Sequence, residues 1–336
     1  MVMRLERRVL GMQLEKNKKP TVLVTGASGI VGYGILRSLK NENCRLIGTT
    51  IYDNSPADCF ADIVEKPPLT QDESYMDWLL NIIKKYSVDM IVPSIEVDMS
   101  KWNKNRKTLE ESGTIVLLNN EQLIELCLDK WKFYEKLRNN NPQYCIQTSI
   151  EPLYEQFKQP FIIKPRCGYG SRGVVKINNK EMYQQYEKEI GKTLIMQELV
   201  GTDEEEYTVS AFFDKFSTLK AYIVMRRKLS KIGYTEMAET VSVNEMRKIL
   251  CDLSQTFKPI GPTNFQFRKQ NDSWKLLEIN PRISSSTSIR TAFGYNESKM
   301  SLKYFFYGKD IQQPQIRKGK AIRYTEDYII YDSVNI

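Results

Sequence analysis

The sequence predicts a parallel-sheet α/β domain followed by an α+β half built from antiparallel strand pairs. Three observations carry this. From Thr21 to Leu118 short apolar runs alternate with helical patterns, which implies a parallel sheet with right-handed crossovers. From Tyr207 onward, strand-like runs succeed one another across short polar turns, which implies antiparallel pairing. Between them, the buried run Phe161–Ile163 ends in Lys164 and passes through Gly168, Gly170 and Gly173 into a second run, Val174–Ile177. That is a strand, a glycine flap and a strand. With 336 residues the chain has room for two or three domains with sizeable cores.

Composition narrows the chemistry. The chain has no histidine, so Ser-His-Asp and Cys-His catalysis, His-ligated zinc and imidazole bases are excluded. Carboxylates, lysines, arginines, backbone dipoles and hard metal ions remain. Six scattered cysteines without a C-x-x-C pair read as reduced thiols of a cytoplasmic protein. No apolar run approaches the roughly 18 residues that span a bilayer, so no membrane partner is expected. Residues 1–19 are charged and lack the apolar centre of a signal peptide. The net charge of +8 shows no basic stripe interleaved with aromatics. It fits a site for anionic ligands better than nucleic acid.

In chain order, Thr21–Thr25 reads as a strand and Gly26-Ala27-Ser28-Gly29-Ile30-Val31-Gly32 as the turn into a helix through Leu39. This G-x-x-G-x-x-G opens a Rossmann-like unit. Cys44–Tyr52 gives a second strand ending at Asp53, which could meet a ribose in a nicotinamide-binding reading. Such glycines also serve simply to pack helix on strand. Asp72–Tyr86 is an amphipathic helix, Val88–Pro93 a strand, Lys101–Glu111 a helix and Ile115–Leu118 a fourth strand. Asn120 is expected to cap one long helix, Glu121–Asn139, stopped by Pro142. Tyr144–Thr148 and Thr193–Val200 read as strands around the flap, with a helix over Glu181–Ile190. Tyr207–Asp214 and Thr218–Arg226 pair around a turn, and Asn244 caps a helix through Lys258. Asn264–Arg268 and Trp274–Asn280 form a hairpin across the turn Lys269–Ser273.

Two stretches carry chemistry. Glycines in the flap let backbone N–H groups approach an anion, and Lys164, Ser171 and Arg172 add donors and charge. No Lys-Ser/Thr pair follows a glycine, so it is not a Walker loop. A surface hairpin with turn glycines has the same local pattern. In the later hairpin, side chains alternate faces. With Arg268 opposite Trp274, Gln266, Glu278 and Asn280 project one way, and Leu277 and Ile279 the other. These hard oxygen ligands suit Mg2+ bridging phosphates. Arg282 follows directly. A solvated polar face would look alike in isolation.

These stretches resemble the ATP-grasp superfamily, within it the carbamoyl-phosphate synthetase large-chain-like group. The resemblance rests on the Gly26 turn, Asp129-Lys130-Trp131, the Lys164–Gly173 flap, Glu198-Leu199-Val200-Gly201, Glu206-Tyr207-Thr208-Val209, Asn264-Phe265-Gln266-Phe267 and Leu277-Glu278-Ile279-Asn280-Pro281-Arg282. It covers about residues 20–300 in the family's order. It implies a Rossmann-like pre-ATP-grasp domain over 20–118, which does not bind NAD. A two-subdomain ATP-grasp fold then spans 119–325, with its flap subdomain at about 145–200. Residues 1–19 and 326–336 are expected to be tails.

By resemblance, Lys130 and Lys164 contact phosphate with Gly170 and Ser171, Glu198 and Leu199 meet adenine, and Glu206 meets the ribose. Gln266, Glu278 and Asn280 hold Mg2+, or Mn2+ in its place. Lys164 and Arg282 are the catalytic residues, and Arg226, Arg227 and Arg282 face substrate. The implied activity is ATP-dependent ligation of a small-molecule carboxylate to an amine through an acyl phosphate, and a homodimer is admissible. Carboxyphosphate chemistry and a nicotinamide oxidoreductase are the alternatives. The chain departs from the synthetase itself in having a single ATP-grasp unit and no glutaminase-like segment.

Overall fold

The computed structural model describes residues 19–168, 173–230 and 233–329. The segments 1–18 and 330–336 and the flap tip 169–172, with Gly170 and Ser171, lie outside the described residues.

The first domain is a five-stranded parallel sheet. Its strands are β1 (Thr21–Val24), β2 (Arg45–Thr49), β3 (Ile63–Glu65), β4 (Met90–Val92) and β5 (Ile115–Val116), in the order β3-β2-β1-β4-β5. Both faces are covered, which is why β1 and β4 are buried throughout and apolar except for Thr21. Helix α1 (Ile30–Leu39) packs with Val22, Val24 and Leu46. Helices α2 (Tyr75–Tyr86) and α3 (Glu96–Lys104) pack with Leu23 and Ile47 on the other side. Helix α4 (Arg106–Glu111) precedes β5. Strand β3 was not expected, because three residues are too few to show a period.

The glycine turn after β1 is built for packing. Gly26 has φ +56°, and a Cβ there would lie 2.6 Å from Ser94 Oγ. A Cβ on Gly32 would lie 2.2 Å from the Gly26 carbonyl oxygen. Asp53, the expected ribose partner of a dinucleotide, is instead a solvent-exposed partner of Lys66 at 2.9 Å.

The expected helix 121–139 is two helices, α5 (Glu121–Cys127) and α6 (Lys130–Asn140). Asp129 breaks it: its carboxylate accepts from the Trp131 and Lys132 amides, capping α6 instead of continuing α5. Asn120 caps α5, as expected. Next comes an antiparallel sheet of β6 (Thr148–Ser149), β7 (Phe161–Pro165), β8 (Val175–Ile177) and β9 (Leu194–Glu198), ordered β6-β9-β7-β8. Helix α7 (Lys180–Gln184) covers it through Tyr183.

The larger antiparallel sheet holds β10 (Glu206–Phe213), β11 (Leu219–Leu229), β12 (Thr235–Thr240), β13 (Gly261–Gln270), β14 (Ser273–Asn280) and β15 (Lys320–Ile322). Their order is β14-β13-β10-β11-β12-β15. Helix α8 (Met246–Phe257) packs on one face with Val209, Phe265 and Phe267. Its N-terminus falls at Glu245, without a side-chain cap from Asn244. Helices α9 (Thr287–Ala292) and α10 (Glu297–Ser301) pack on the other face with Phe212 and Met225. Beyond α9 and around α10 the chain returns to the first domain. Leu302 joins the core of Ile35 and Leu36, and Asn296 Nδ2 donates to the Ser38 carbonyl at 2.7 Å.

The β13–β14 hairpin corrects the expected register. The turn is two residues, Asn271 and Asp272, with φ +48° and +62°, the positive angles of a tight hairpin turn. Lys269 therefore opposes Trp274. Continued without interruption, that ladder would turn Glu278 into the core. A one-residue slip between Gln266 and Phe267 prevents this, so Gln266 opposes Glu278 and Asn264 opposes Asn280. The extra residue is Leu277. Leu276 takes the core position, 2% exposed, whereas Leu277 leaves the face assigned to it from alternation.

Candidate active site

The two antiparallel sheets enclose a cavity of about 240 Å³. Lys130 and Lys164 line it from the β7 side, Glu198 and Leu199 from the end of β9 and the residue after it, and Gln266 and Glu278 from the larger sheet. Leu277 adds an apolar wall.

Local structure brings the two lysines together. Arg166 at the end of β7 grips the Asp129 carboxylate with Nε and Nη2, the latter at 2.8 Å. The Lys130 amide donates to the Arg166 carbonyl at 3.0 Å. One carboxylate thus caps α6 and fastens it to β7. Lys130 Nζ donates to the Gly168 carbonyl at 2.9 Å. Lys164 Nζ donates to Gln197 Oε1 at 2.7 Å, and Gln197 Nε2 to Thr148 Oγ1 at 2.8 Å.

Burial pushes Lys164 down to about 8. Glu278 opposes this, and the Lys130 charge adds to the depression. Burial also lowers Lys130, again opposed by Glu278. Among the described residues lining the cavity are thus two lysines whose charge desolvation disfavours, with Glu278 acting on both. An added polyanion would stabilise the charged lysines.

The oxygen-ligand row is aligned as expected. Gln266 and Glu278 are cross-strand partners, and Asn280 Nδ2 donates to Glu278 Oε1 at 2.9 Å. Gln266 Oε1 already accepts from Arg227 at 2.6 Å. Among the described residues no three His, Cys, Asp or Glu side chains gather. One carboxylate with two carboxamides carries too little charge for a self-contained metal cage. It fits a hard cation that brings phosphate oxygens as further ligands.

Other expectations are corrected. Glu206 reaches the cavity, but it is 4% exposed and ion-paired with Arg227 and Arg268, each at 2.8 Å. Its oxygens anchor two guanidinium groups and are not free for a ribose. Arg226 and Arg227 point to opposite faces, as neighbours on a strand must. Arg226 pairs with Glu239, away from Gln266, and Arg227 stands behind Gln266 as its support. Arg282 does not line the lysine cavity. It binds Glu96 of the first domain and donates to the Ile283 carbonyl at 2.8 Å.

Sequence reasoning missed Arg323. Burial lowers it, and no carboxylate contributes to its surroundings among the described residues. Its Nη2 donates to the Ser285 carbonyl at 2.9 Å, while Nη1 is buried without a partner among the described residues. The Tyr234 ring lies 5.8 Å away. A lone Arg in an extended tail gives no signal in sequence.

Comparison with known proteins agrees with this architecture. Residues 23–117 match the family described as "PylC-like, N-terminal domain". Residues 189–328 match the one described as "ATP-grasp in the biosynthetic pathway with Ter operon". The carbamoyl phosphate synthase large chain of Saccharolobus islandicus (strain M.14.25 / Kamchatka #1) is 23% identical over 75% of this chain. That of Campylobacter jejuni is 20% identical over 88%. The chain spans only 25% and 29% of the length of these two relatives.

Among solved structures, the ADP complex of N5-carboxyaminoimidazole synthetase from Staphylococcus aureus aligns with TM-score 0.71 at 16% identity, covering 89% of this chain and 81% of that one. L-amino acid ligase from Bacillus licheniformis aligns with TM-score 0.64 at 16% identity, covering 88% and 76%. The biotin carboxylase domain of Hydrogenobacter thermophilus 2-oxoglutarate carboxylase, in complex with MgADP, ADP and bicarbonate, aligns with TM-score 0.68 at 14% identity, covering 89% and 73%.

Proposed function

We propose, on the premise that this chain carries the ATP-grasp fold behind a PylC-like N-terminal domain, that it is an ATP-dependent carboxylate–amine ligase. The observation that supports the reading most is the meeting of two lysines depressed by burial, Lys130 and Lys164, with Gln266 and Glu278 in one cavity. A nucleoside triphosphate with a divalent cation offers phosphates to the lysines and a hard cation to the oxygen ligands.

Lys130 and Lys164 hold the phosphates, with Gly170 and Ser171 of the flap tip assigned beside them. Glu198 and Leu199 border the base. Gln266, Glu278 and Asn280 hold Mg2+, or Mn2+ in its place, which when bound compensates the charge of the phosphate oxygens. The substrate carboxylate enters at the junction of the two domains, where Arg282 and Arg323 lie. Its oxygen forms a bond to the γ-phosphorus as the bond to ADP breaks. The two lysines offset the charge that develops. The amine then attacks the acyl carbon, phosphate leaves, and the amine proton passes to solvent. A free amine needs little help from a base, so a site without histidine suffices.

The substrate class is a small, amino-acid-like molecule. Bicarbonate as the carboxylate is the second reading, favoured by the match to carbamoyl phosphate synthases. The nicotinamide alternative loses its support because the glycines after β1 are accounted for by packing. The test is incubation with ATP, Mg2+ and a panel of amino acids, with and without bicarbonate. ADP and phosphate should appear in step with consumption of the amine. AMP and pyrophosphate as products would overturn the reading.

A further inference from the structure

A second polar cluster, closed to solvent, adjoins the row of Gln266, Glu278 and Asn280. Arg290 of α9 and Glu297 of α10 form an ion pair with both side chains fully buried. Arg290 Nε donates to Glu297 Oε1 at 3.0 Å, and Nη2 to Ser284 Oγ at 3.0 Å. Ser210 donates to the other oxygen of Glu297. The last arm of the guanidinium, Nη1, donates to Asn264 Oδ1 at 3.2 Å. The hydroxyls of Thr208 and Ser284 donate to that same oxygen, at 2.8 and 3.1 Å.

Of the three partners on this carboxamide oxygen, the Arg290 guanidinium fixes the side chain's orientation. Rotating it by half a turn would set its NH2 against the Arg290 guanidinium, which can only donate, whereas the two hydroxyls could turn and accept. The fixed Nδ2 has no acceptor among the described residues, although Asn264 is fully buried. A buried donor left without a partner is unfavourable. A fully buried ion pair contributes little that well-packed apolar residues would not. Neither feature serves the fold, and Asn264 stands directly opposite Asn280, beside Gln266 and Glu278.

We propose that Asn264 Nδ2 donates to an oxygen of the γ-phosphoryl group of the bound nucleotide, and that Arg290 with Glu297 is the positioning pair that locks the amide in that orientation. The inference rests on the ATP-binding reading above. Arg290 and Glu297 touch no reacting atom and act through Asn264.

The test is calorimetry on the full chain, titrated separately with MgADP and with the magnesium complex of β,γ-imido-ATP. The variants are Asn264→Ala and the paired Arg290→Met/Glu297→Leu. The wild type should bind the imido-ATP complex more tightly than MgADP. Each variant should lose that preference, by about tenfold, the scale of one hydrogen bond to a charged group, with MgADP affinity unchanged. Combining all three substitutions should cost no more than Asn264→Ala alone, because they act through one atom. Should the paired variant fail to fold, Arg290→Lys, which cannot reach three acceptors with one fork, should show the same selective loss. Loss of both nucleotides alike, or of neither, overturns the Asn264 contact when seen in Asn264→Ala and the positioning role when seen only in the paired variant, and leaves the ATP reading standing. A wild type that binds neither nucleotide overturns the ATP reading with it.

Discussion

Gln266 and Glu278 face each other across the β13–β14 hairpin because a two-residue turn and a one-residue slip compensate for one another. The slip also separates the roles of two adjacent leucines. Leu276 belongs to the core and Leu277 to the cavity wall. Leu276→Ala should lower stability by about 2–5 kcal/mol, the usual range for a truncated core leucine, with little effect on nucleotide affinity per folded molecule. Leu277→Ala should do the reverse, weakening nucleotide binding several-fold with a small change in melting temperature. Denaturant titration paired with calorimetry reads both, and exchanged outcomes would mean that the slip is absent.

Glu278→Ala should abolish ADP formation at saturating Mg2+ while the melting temperature stays near that of the wild type. The side chain is half-buried and lines the cavity, so on the proposed reading its loss removes a metal ligand without opening the core. Undiminished turnover in this variant would remove Glu278 from the site.

Lys164 gives the site a pH signature. Its value of about 8 lies below the ordinary 10.5. Between these values the unfolded chain binds the proton and the empty folded chain does not, so the stability of the empty protein should rise with pH across that window. Phosphate binding has the opposite sign. It needs the charged lysine, so above about pH 8 binding must take up a proton, and affinity should fall as pH rises from 8 to 10. Calorimetry in buffers of different ionisation enthalpy would detect the uptake. Lys164→Arg, charged throughout this range, should flatten the profile; a profile unchanged by that substitution would exclude Lys164 as the titrating group.

Gly201, just after β9, has φ +61°, and a Cβ there would lie 2.3 Å from the Lys269 carbonyl oxygen. Gly201→Ala should destabilise by about 1–3 kcal/mol from backbone strain, with the clash adding to it. Gly113 is the control: its φ is +86°, but nothing lies within 4 Å of an added Cβ. Gly113→Ala should therefore cost only the strain component. Equal losses in the two variants, measured by urea unfolding, would show that the contact with Lys269 has no effect.

Much of the fold was legible because its periods are strong. The β1-α1 unit and the apolar faces of α2 and α8 follow directly from residue spacing. The site was legible where chemistry and spacing coincide, at Lys164, Gln266 and Glu278, and through the resemblance at Lys130; these four meet in one cavity. The failures have local causes. Asp129 reads as an ordinary helical residue until Arg166, distant in sequence, is seen to grip it. A slip at Leu277 leaves no trace in a run of alternating side chains. Arg226 and Arg227 look equivalent in sequence and fall on opposite faces. The partners of Arg282 and Glu206 lie in other elements, so the ion pairs that occupy them could not be read from their own strands.

On the proposed reading, the cavity between the two antiparallel sheets binds ATP with Mg2+, and the glycine turn of the first domain binds no dinucleotide. Isothermal titration of the wild type and Glu278→Ala with MgATP, and of the wild type with NADH, tests it most directly. MgATP should bind the wild type with micromolar affinity and Glu278→Ala markedly more weakly, and NADH should give no heat. Micromolar binding of NADH with no binding of MgATP would contradict it.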